Sequence, residues 1–313
     1  MRKIYAIGET LLDIIFKNDQ PRTAKPGGAM LNSVVSIGRI GLPVYFISEY
    51  GIDDTGNLVD SFLSGNGVNT KYVNRYRDGN TSLALAFLND KNDARYTFYK
   101  NRLPGKKNMT FPVIEKDDII LFGSYYSIWT EIREVFKDFI LGARDKGALL
   151  IYDPNFRRSH LSELDDVKPM IIENMKMANM VRGSDEDFKN IFNADTPDKA
   201  YSEIADFCPL MVYTANTEGV FVKTHSFEGR FPVRKIEPVS TIGAGDNFNA
   251  GIITSLYTGE INTGQLEDLS GNNWEKIIST AVGFATDVCL SYDNYISLEF
   301  AREFKSADPR IPQ

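Results

Sequence analysis

The chain has 313 residues, of which 42% are hydrophobic, so it can bury a large core and is not expected to be disordered. Its 35 basic and 42 acidic residues give a net charge of −7, and no Lys/Arg block appears. This composition excludes an electrostatic surface for nucleic acid and favours a small-molecule partner.

Short apolar runs alternate with longer stretches of helical period, the pattern of βα units around a mostly parallel sheet. The predicted strands are KIYAIG (3–8), VYFIS (44–48), IILFG (119–123), LLIYD (149–153), ANMVRG (178–183), LMVYT (210–214) and GVFVKT (219–224). Helices are predicted at 30–40, 55–64, 130–146 and 163–176, among others. The sequence therefore predicts an α/β fold, a doubly wound sheet flanked by helices in a single domain over residues 1–313.

One region departs from the βα pattern. The stretch TSLALAFLNDKNDARYTFYK at 81–100 reads as two strands around a polar NDKND turn, with no helix between them. We interpret it as part of a small β-sheet lid, formed by approximately residues 10–25 and 80–105.

The amino-terminal residues and the cysteines bear on location. Gly8, Glu9 and Asp13 interrupt the first apolar run early, so no signal peptide is predicted, and no apolar span reaches the length of a membrane helix. Cys208 and Cys289 are far apart and lack metal-ligand spacing, which suits a reducing compartment. A cytoplasmic enzyme without a membrane partner is expected.

Polar residues that follow the predicted strands are the candidates for ligand binding, because open parallel sheets bind ligands at the carboxyl ends of their strands. They are Asp13 in GETLLD, Gly27, Gly28 and Asn32 in PGGAMLN, and Asn155 and Arg157 in DPNFR. Each also has an ordinary structural reading: Asp13 as a turn residue, the glycines as a plain turn, Asn32 as an exposed helix position and Arg157 as a surface cation. Taken singly, the residues do not decide between the two.

The stretch STIGAGDNFNAG at 240–251 carries the most chemistry. Gly243, Ala244 and Gly245 allow close approach to a ligand, and the apolar residues after them recur four apart, at Phe248, Ile252 and Leu256. The turn is therefore predicted to lie at a helix N-terminus, where free N–H groups and the helix dipole favour a phosphate or a developing oxyanion. Asp246 beside it is either a general base or a first-turn residue favoured by the dipole.

In combination, GGAMLNSVVSIGRIG and STIGAGDNFNAG resemble the two signatures of the ribokinase/PfkB sugar kinases, in order and spacing over essentially the whole chain. The resemblance implies that Asp246 deprotonates a sugar hydroxyl and that Gly243, Ala244 and Gly245 stabilise charge on the transferring phosphoryl group. It gives Asp13, Gly28 and Asn32 to sugar hydroxyls. No Walker-type GxxxxGK[ST] motif is present.

The same resemblance implies ATP and Mg²⁺ as cofactors. It places Ser184, Thr214, Asn216 and Gly219 at the nucleotide, and Asp187 near the metal, through water. In RGSDEDF, however, Ser184 and Asp187 stand where the family has Asn and Glu, which puts the metal role in doubt. Asn216 stands where a glycine is common. A monovalent cation such as K⁺ is a further expectation, although Ser240 replaces the usual aspartate at that motif.

GETLLD and DPNFR look most like fructokinases and their relatives, the 2-keto-3-deoxygluconate kinases. In the latter, a lid arginine and the arginine of DPNFR are expected to engage the carboxylate of a sugar acid. Here Lys100 stands at the lid position, and its ammonium group is a point charge that cannot bind a carboxylate through two parallel hydrogen bonds as arginine does. Fructose is therefore the favoured sugar, and 2-keto-3-deoxygluconate is the alternative. A homodimer through the lid is implied by the family and by exposed strand edges.

Two other classes of function are less well supported by the sequence. A catalytically silent sugar- or nucleotide-binding regulator is supported only by the departures at Ser184, Asn216 and Ser240, and the intact Asp246 argues against it. A nicotinamide oxidoreductase would need a Gly-x-Gly-x-x-Gly turn after the first strand, which is absent.

Overall fold

The computed structural model of the chain describes residues 2–89, 94–100 and 109–311. The strands are β1 (Ile4–Ile7), β2 (Leu11–Lys17), β3 (Gln20–Gly27), β4 (Val44–Gly51), β5 (Val68–Tyr76), β6 (Leu83–Leu88), β7 (Ala94–Tyr99), β8 (Ile119–Gly123), β9 (Leu149–Asp153), β10 (Met180–Ser184), β11 (Met211–Thr214), β12 (Val220–Lys223) and β13 (Glu228–Phe231). The helices are α1 (Ala29–Ile40), α2 (Asp54–Gly65), α3 (Arg133–Asp145), α4 (Leu164–Met177), α5 (Asp185–Phe192), α6 (Pro197–Ile204), α7 (Ala244–Thr258), α8 (Gly271–Cys289) and α9 (Leu298–Ala307). Within these ranges, no helix combines the length and the apolar character needed to cross a lipid bilayer.

The main sheet has nine strands in the order β13-β12-β11-β10-β9-β8-β1-β4-β5. The pairs from β11 to β5 are parallel, and only β12 and β13 run antiparallel to their neighbours. All seven strands predicted for this sheet are present. From β1 the sheet grows in opposite directions through β4 and through β8, and ligands bind at such a switch point, beyond the carboxyl ends of the strands.

Helices cover both faces of this sheet because its strands carry apolar side chains on both sides. In β1, Ile4 and Ala6 join the core beneath α1, α2, α7, α8 and α9. Tyr5 and Ile7 point the other way, into the core beneath α3, α4, α5 and α6. The predicted doubly wound α/β fold is confirmed, and the four predicted helices that were given bounds match α1, α2, α3 and α4.

A separate small sheet has four strands in the order β3-β2-β6-β7. β6 and β7 are the two strands predicted at 81–100, and most of the polar turn between them, at 90–93, lies outside the described residues. β2 and β3 form a hairpin that was not predicted strand by strand, because its sequence QPRTAKPG is polar and carries two prolines. The predicted lid range also extends to 105, and residues 101–105 lie outside the described part. β5 and β13 were missed as well.

Candidate active site

The turn at 243–245 begins helix α7, as the sequence predicts. Gly243 is the N-cap and has a left-handed backbone (φ 80°), a conformation that favours glycine. The first intrahelical bond runs from the N–H of Asn247 to the carbonyl oxygen of Gly243 (2.9 Å). The N–H groups of Gly245 and Asp246 are therefore not taken up by the helix, and they are available to an anion at its positive end.

Helix α1 holds the carboxylate of Asp246 in place. The Asn32 side chain donates from Nδ2 to Oδ2 of Asp246 (2.8 Å), and the Ser33 hydroxyl donates to the Asp246 backbone carbonyl (2.7 Å). Asn32 is 4% exposed and Asp246 is 7% exposed. The reading of Asn32 as an exposed helix position is wrong, because this face of α1 packs against α7.

Burial raises the pKa of Asp246 to about 6, and the hydrogen bond from Asn32 and the charge of Arg157 oppose that rise. The carboxylate is thus ionised at neutral pH while remaining basic enough to accept a proton. A carboxylate with this pKa beside an anion-binding turn has the properties of a general base for attack on a phosphoryl group.

Asp13 lies on strand β2 of the small sheet and is 9% exposed. Burial raises its pKa to about 7, and the charges of Asp246 and Glu9 add to the rise. A Cβ atom on Gly27 would lie 2.0 Å from Oδ2 of Asp13, so glycine is required for the carboxylate to lie where it does. The reading of Asp13 as a turn residue is wrong, since it is a buried strand residue electrostatically coupled to Asp246.

Gly28 is the N-cap of α1 and has φ 132°, and a Cβ there would lie 2.3 Å from the carbonyl oxygen of Glu9. The backbone between the small sheet and α1 therefore passes directly over the end of β1. This close approach brings Gly27 and Gly28 to the carboxyl edge of the main sheet, together with Asn32.

The DPNFR segment follows β9 at the same edge. Asn155 has a left-handed backbone (φ 42°), and its N–H donates to Oδ1 of Asp153 (3.0 Å). Arg157 is exposed, which agrees with a surface cation, yet its charge acts on Asp246 and also on Tyr96 of β7. Arg157 is thus an exposed cation whose charge is felt both by Asp246 and by the small sheet.

Lys100, directly after β7, is already paired. Its Nζ lies 2.8 Å from Oε1 of Glu9, which follows β1, so this ion pair joins the small sheet to the main sheet. The same ammonium group lies 5.3 Å from the ring centroid of Phe98 and 6.0 Å from that of Tyr125. Neither Glu9 nor this pairing was anticipated from the sequence.

The residues expected at the nucleotide lie at the ends of neighbouring strands. Ser184 of β10 and Thr214 of β11 are partners in the parallel register. Asn216 is exposed and left-handed (φ 43°), and Gly219 has φ 113°, where a Cβ would lie 2.6 Å from the carbonyl oxygen of Phe231. Ser184 and Thr214 thus lie side by side at the carboxyl ends of β10 and β11, and Asn216 and Gly219 lie in the turn between β11 and β12.

Asp187 has a capping role. Its Oδ2 accepts bonds from the N–H (2.7 Å) and hydroxyl (2.6 Å) of Ser184, and its Oδ1 accepts from the N–H of Phe156 (2.6 Å). In the part of the chain that the structure describes, no group of three His, Cys, Asp or Glu side chains could hold a metal ion. A Mg²⁺ ion here would take most of its ligands from phosphate oxygens and water, a common mode for this ion.

Sequence reasoning missed a buried polar cluster beneath the turn. Arg182 of β10 donates to Oδ2 of Asp153 (2.9 Å) and to the Thr214 hydroxyl (2.8 Å), and Asn249 of α7 donates to the same Asp153 oxygen (2.6 Å). The available signal was an arginine inside the predicted strand ANMVRG, because arginine is almost never buried without a partner.

Comparison with known proteins identifies the family. Residues 1–300 match the model of the pfkB family carbohydrate kinases. "Probable fructokinase-6, chloroplastic" from Arabidopsis thaliana is 29% identical over 269 residues, which cover 81% of this chain and 70% of that protein. Fructokinase-2 from Solanum lycopersicum is 26% identical over 266 residues, covering 81% of each chain.

Solved structures show the same ribokinase-like fold. Fructokinase from Vibrio cholerae O395, in its fructose-, ADP- and calcium-bound form, superimposes with a TM-score of 0.83 at 20% identity, covering 98% of this chain and 99% of that one. Aminoimidazole riboside kinase from Salmonella enterica, complexed with aminoimidazole riboside and an ATP analog, gives 0.82 at 20% identity, covering 97% and 99%.

Proposed function

Since the chain belongs to the pfkB family of carbohydrate kinases and is a sugar kinase, we propose that it transfers the γ-phosphoryl group of ATP to a hydroxyl of free fructose. The choice of fructose is supported by relatives named fructokinase and by the charge balance of the cleft. The single observation that carries the choice is the ion pair between Lys100 and Glu9.

The proposed reaction is direct transfer. Asp246 accepts the proton of the attacking hydroxyl, and the oxygen attacks the γ-phosphorus as its bond to the ADP oxygen breaks. The turn formed by Gly243, Ala244 and Gly245 stabilises negative charge on the transferring group through the N–H groups that remain free, those of Gly245 and Asp246. Ser184, Thr214, Asn216 and Gly219 hold the nucleotide. Magnesium, bound chiefly to the phosphates, would neutralise part of their charge.

Asp13, Gly27, Gly28, Asn32 and Asn155 are proposed to bind the sugar, with Asp13 accepting hydroxyl hydrogen bonds. This role fits a carboxylate that is buried with a raised pKa, because hydroxyl donors stabilise its charged form. A neutral ketohexose brings several such donors. The site therefore supplies acceptors where a polyol supplies hydroxyl groups.

The alternative substrate, 2-keto-3-deoxygluconate, carries a carboxylate that needs a cation once water is excluded. Lys100 is the cation expected for it, but its charge is already balanced by Glu9 at 2.8 Å. Arg157 remains, as an exposed cation whose charge is felt by Asp246. The balance of charge favours a neutral sugar.

A coupled ADP-release assay with Mg-ATP tests the substrate. We expect fructose to give the highest kcat/KM in a panel with 2-keto-3-deoxygluconate, ribose and adenosine. Glu9→Gln should raise turnover of 2-keto-3-deoxygluconate, because it leaves the Lys100 ammonium unpaired. A higher kcat/KM for the sugar acid in the unmodified enzyme, lost on Lys100→Met or Arg157→Met, would overturn the choice of fructose.

We also propose a homodimer through the small sheet. In β2 and β6, the buried residues Ile15 and Ala86 alternate with half-buried apolar residues on the opposite face, where Phe16 and Phe87 stack at 4.9 Å. Light scattering should show a dimer that Phe87→Asp converts to monomer. Val135→Asp, at a 40% exposed position of α3, is the matched control and should leave the dimer intact.

A cytoplasmic location and a monovalent-cation requirement remain proposals. Both cysteines are free thiols, which suits a reducing compartment. Replacing K⁺ by a bulky organic cation in the assay tests the second proposal, and activity that does not change would refute it.

A further inference from the structure

Arg182 is a buried cation on β10, 6% exposed, that bonds to the ends of two neighbouring strands. Its two terminal nitrogens donate to Asp153 of β9 and Thr214 of β11. We propose that Arg182 is a positioning residue for phosphoryl transfer: its guanidinium group packs against the first turn of α7, and its fixed positive charge lies behind the anion-binding turn, next to Asp246. The proposal rests on the proposed role of Asp246 as the base.

The first support is the close packing of the guanidinium group against the turn. A Cβ atom on Gly245 would lie 2.9 Å from Nη1 of Arg182 and 3.2 Å from Nη2. The charged group therefore lies in contact with the backbone of the first turn of α7, on the inner side of the helix. Only glycine at 245 permits this approach. The guanidinium carbon of Arg182 also lies over the ring of Phe248, 5.5 Å from its centroid.

The second support is that the hydrogen bonds of Arg182 prevent it from moving to the substrate. Both terminal nitrogens are held, at 2.9 Å by Asp153 and at 2.8 Å by Thr214. Asp153 is fixed in turn by Asn249 and by the N–H of Asn155. An arginine held in this way acts through its field and through the residues it positions, and it does not act as a direct ligand of the phosphate.

Several charged groups face Asp246 from the elements packed around it. Arg157 and Arg182 favour its charged form, Asp153 opposes it, and Asn32 donates a hydrogen bond to it. Asp13 on the small sheet is coupled to it by repulsion. Removing the charge at 182 therefore raises the pKa of Asp246, so this carboxylate stays protonated, and unable to act as a base, up to a higher pH.

The test compares Arg182→Gln with Arg182→Lys. The Lys variant keeps the positive charge but lacks the two guanidinium nitrogens that bond to Asp153 and Thr214. Arg182→Gln should lower kcat by about ten- to a hundredfold with little change in the KM for fructose. The acid limb of its kcat profile, measured at saturating fructose, should move to higher pH. Arg182→Lys should recover most of the lost kcat and leave the acid limb in place.

Arg133, also 6% exposed and paired with Glu173 on the other side of the sheet, is the matched control. Arg133→Gln should lower the melting temperature without moving the acid limb. If Arg182→Gln does not fold, Arg182→Lys still tests the proposal, because it keeps the positive charge. A folded Lys variant with kcat reduced more than about a hundredfold would contradict the proposal.

Equal losses in the Gln and Lys variants with an unmoved acid limb would show a purely structural role and overturn the inference. So would wild-type kinetics in Arg182→Gln. These outcomes are distinct from a failure of the proposed function, because in that case the unmodified enzyme itself would fail to phosphorylate fructose, or its acid limb would not depend on Asp246.

Discussion

Asp246→Asn is expected to make the enzyme inactive and, at neutral pH, more stable. As a general base, the carboxylate should contribute about two to four orders of magnitude to kcat, while ATP binding should change little. Asn preserves the shape of the side chain, and its carbonyl oxygen can still accept the bond from Asn32 Nδ2, which is 2.8 Å long in the native enzyme. The two effects should therefore separate cleanly.

The magnitude of the stability gain follows from the pKa. Burial raises the pKa of Asp246 from 3.8 to about 6, so ionising it in the folded state costs about 3 kcal/mol more than in the unfolded chain. Between about pH 4 and pH 6 the folded state binds more protons than the unfolded state, so stability falls as pH rises through this window and then levels off. Asn carries no such cost. The variant should gain up to about 3 kcal/mol at pH 8 and almost nothing near pH 4.

Urea unfolding without ligands at pH 4, 6 and 8 measures the gain, and the ADP-release assay measures kcat. Asp118→Asn is the control, because this fully buried carboxylate accepts backbone N–H bonds from Lys3 (2.8 Å) and Glu115 (3.0 Å). An amide there cannot accept both bonds, so the control should lose stability at pH 8. A folded Asp246→Asn enzyme with near-normal kcat, or with no gain in stability at pH 8, would refute the reasoning.

Three further predictions concern the proposed sugar subsite. Asp13→Ala should raise the KM for fructose at least tenfold, since an unpaired polar contact costs about 1 to 3 kcal/mol, and an unchanged KM in steady-state kinetics would remove Asp13 from the subsite. Gly27→Ala should raise the same KM, because its Cβ would lie 2.0 Å from Oδ2 of Asp13. Gly142→Ala, in open space on α3, is the control, and its melting temperature should be unchanged or slightly higher. Fructose binding near pH 7 should release protons, because sugar hydroxyl groups lower the pKa of Asp13 from about 7; calorimetric enthalpies should then depend on the buffer at pH 7 and not at pH 9.

The main sheet was predictable because its signal is local. Strands such as IILFG and LLIYD are buried on both faces and read as continuous apolar runs between helical stretches. The turn before α7 was equally predictable from the sequence. Its glycines permit the left-handed backbone that Gly243 adopts, and the apolar stripe of the helix follows directly. The hairpin β2-β3 could not be predicted strand by strand, because half of β3 is exposed and this strand lies at the edge of the small sheet, where it pairs with β2.

Partners distant in sequence account for the rest. The pairs Lys100–Glu9 and Arg182–Asp153 join residues 91 and 29 positions apart. The arginine within an apolar strand indicates that Arg182 has a buried partner, but no local pattern identifies the partner of either cation. For Ser184 and Asp187 the departure from the family motif was visible, but its meaning was not. The structure shows that the two side chains complete a capping box with each other.

The two carboxylates of the cleft explain why so many polar groups meet at one edge of an otherwise apolar fold. Asp13 and Asp246 are both nearly buried, and each carries a pKa raised chiefly by desolvation. The unliganded protein is therefore less stable near neutral pH than it would be with neutral side chains at these positions, a cost that active sites commonly bear. In the proposed complex, one sugar hydroxyl donates a hydrogen bond to Asp13 and another donates one to Asp246, so each carboxylate gains a donor that it lacks in the unliganded protein. On this account the binding energy of the sugar is drawn largely from relieving strain that the folded enzyme already holds, so a sugar lacking either hydroxyl should lose far more affinity than one hydrogen bond in water is worth.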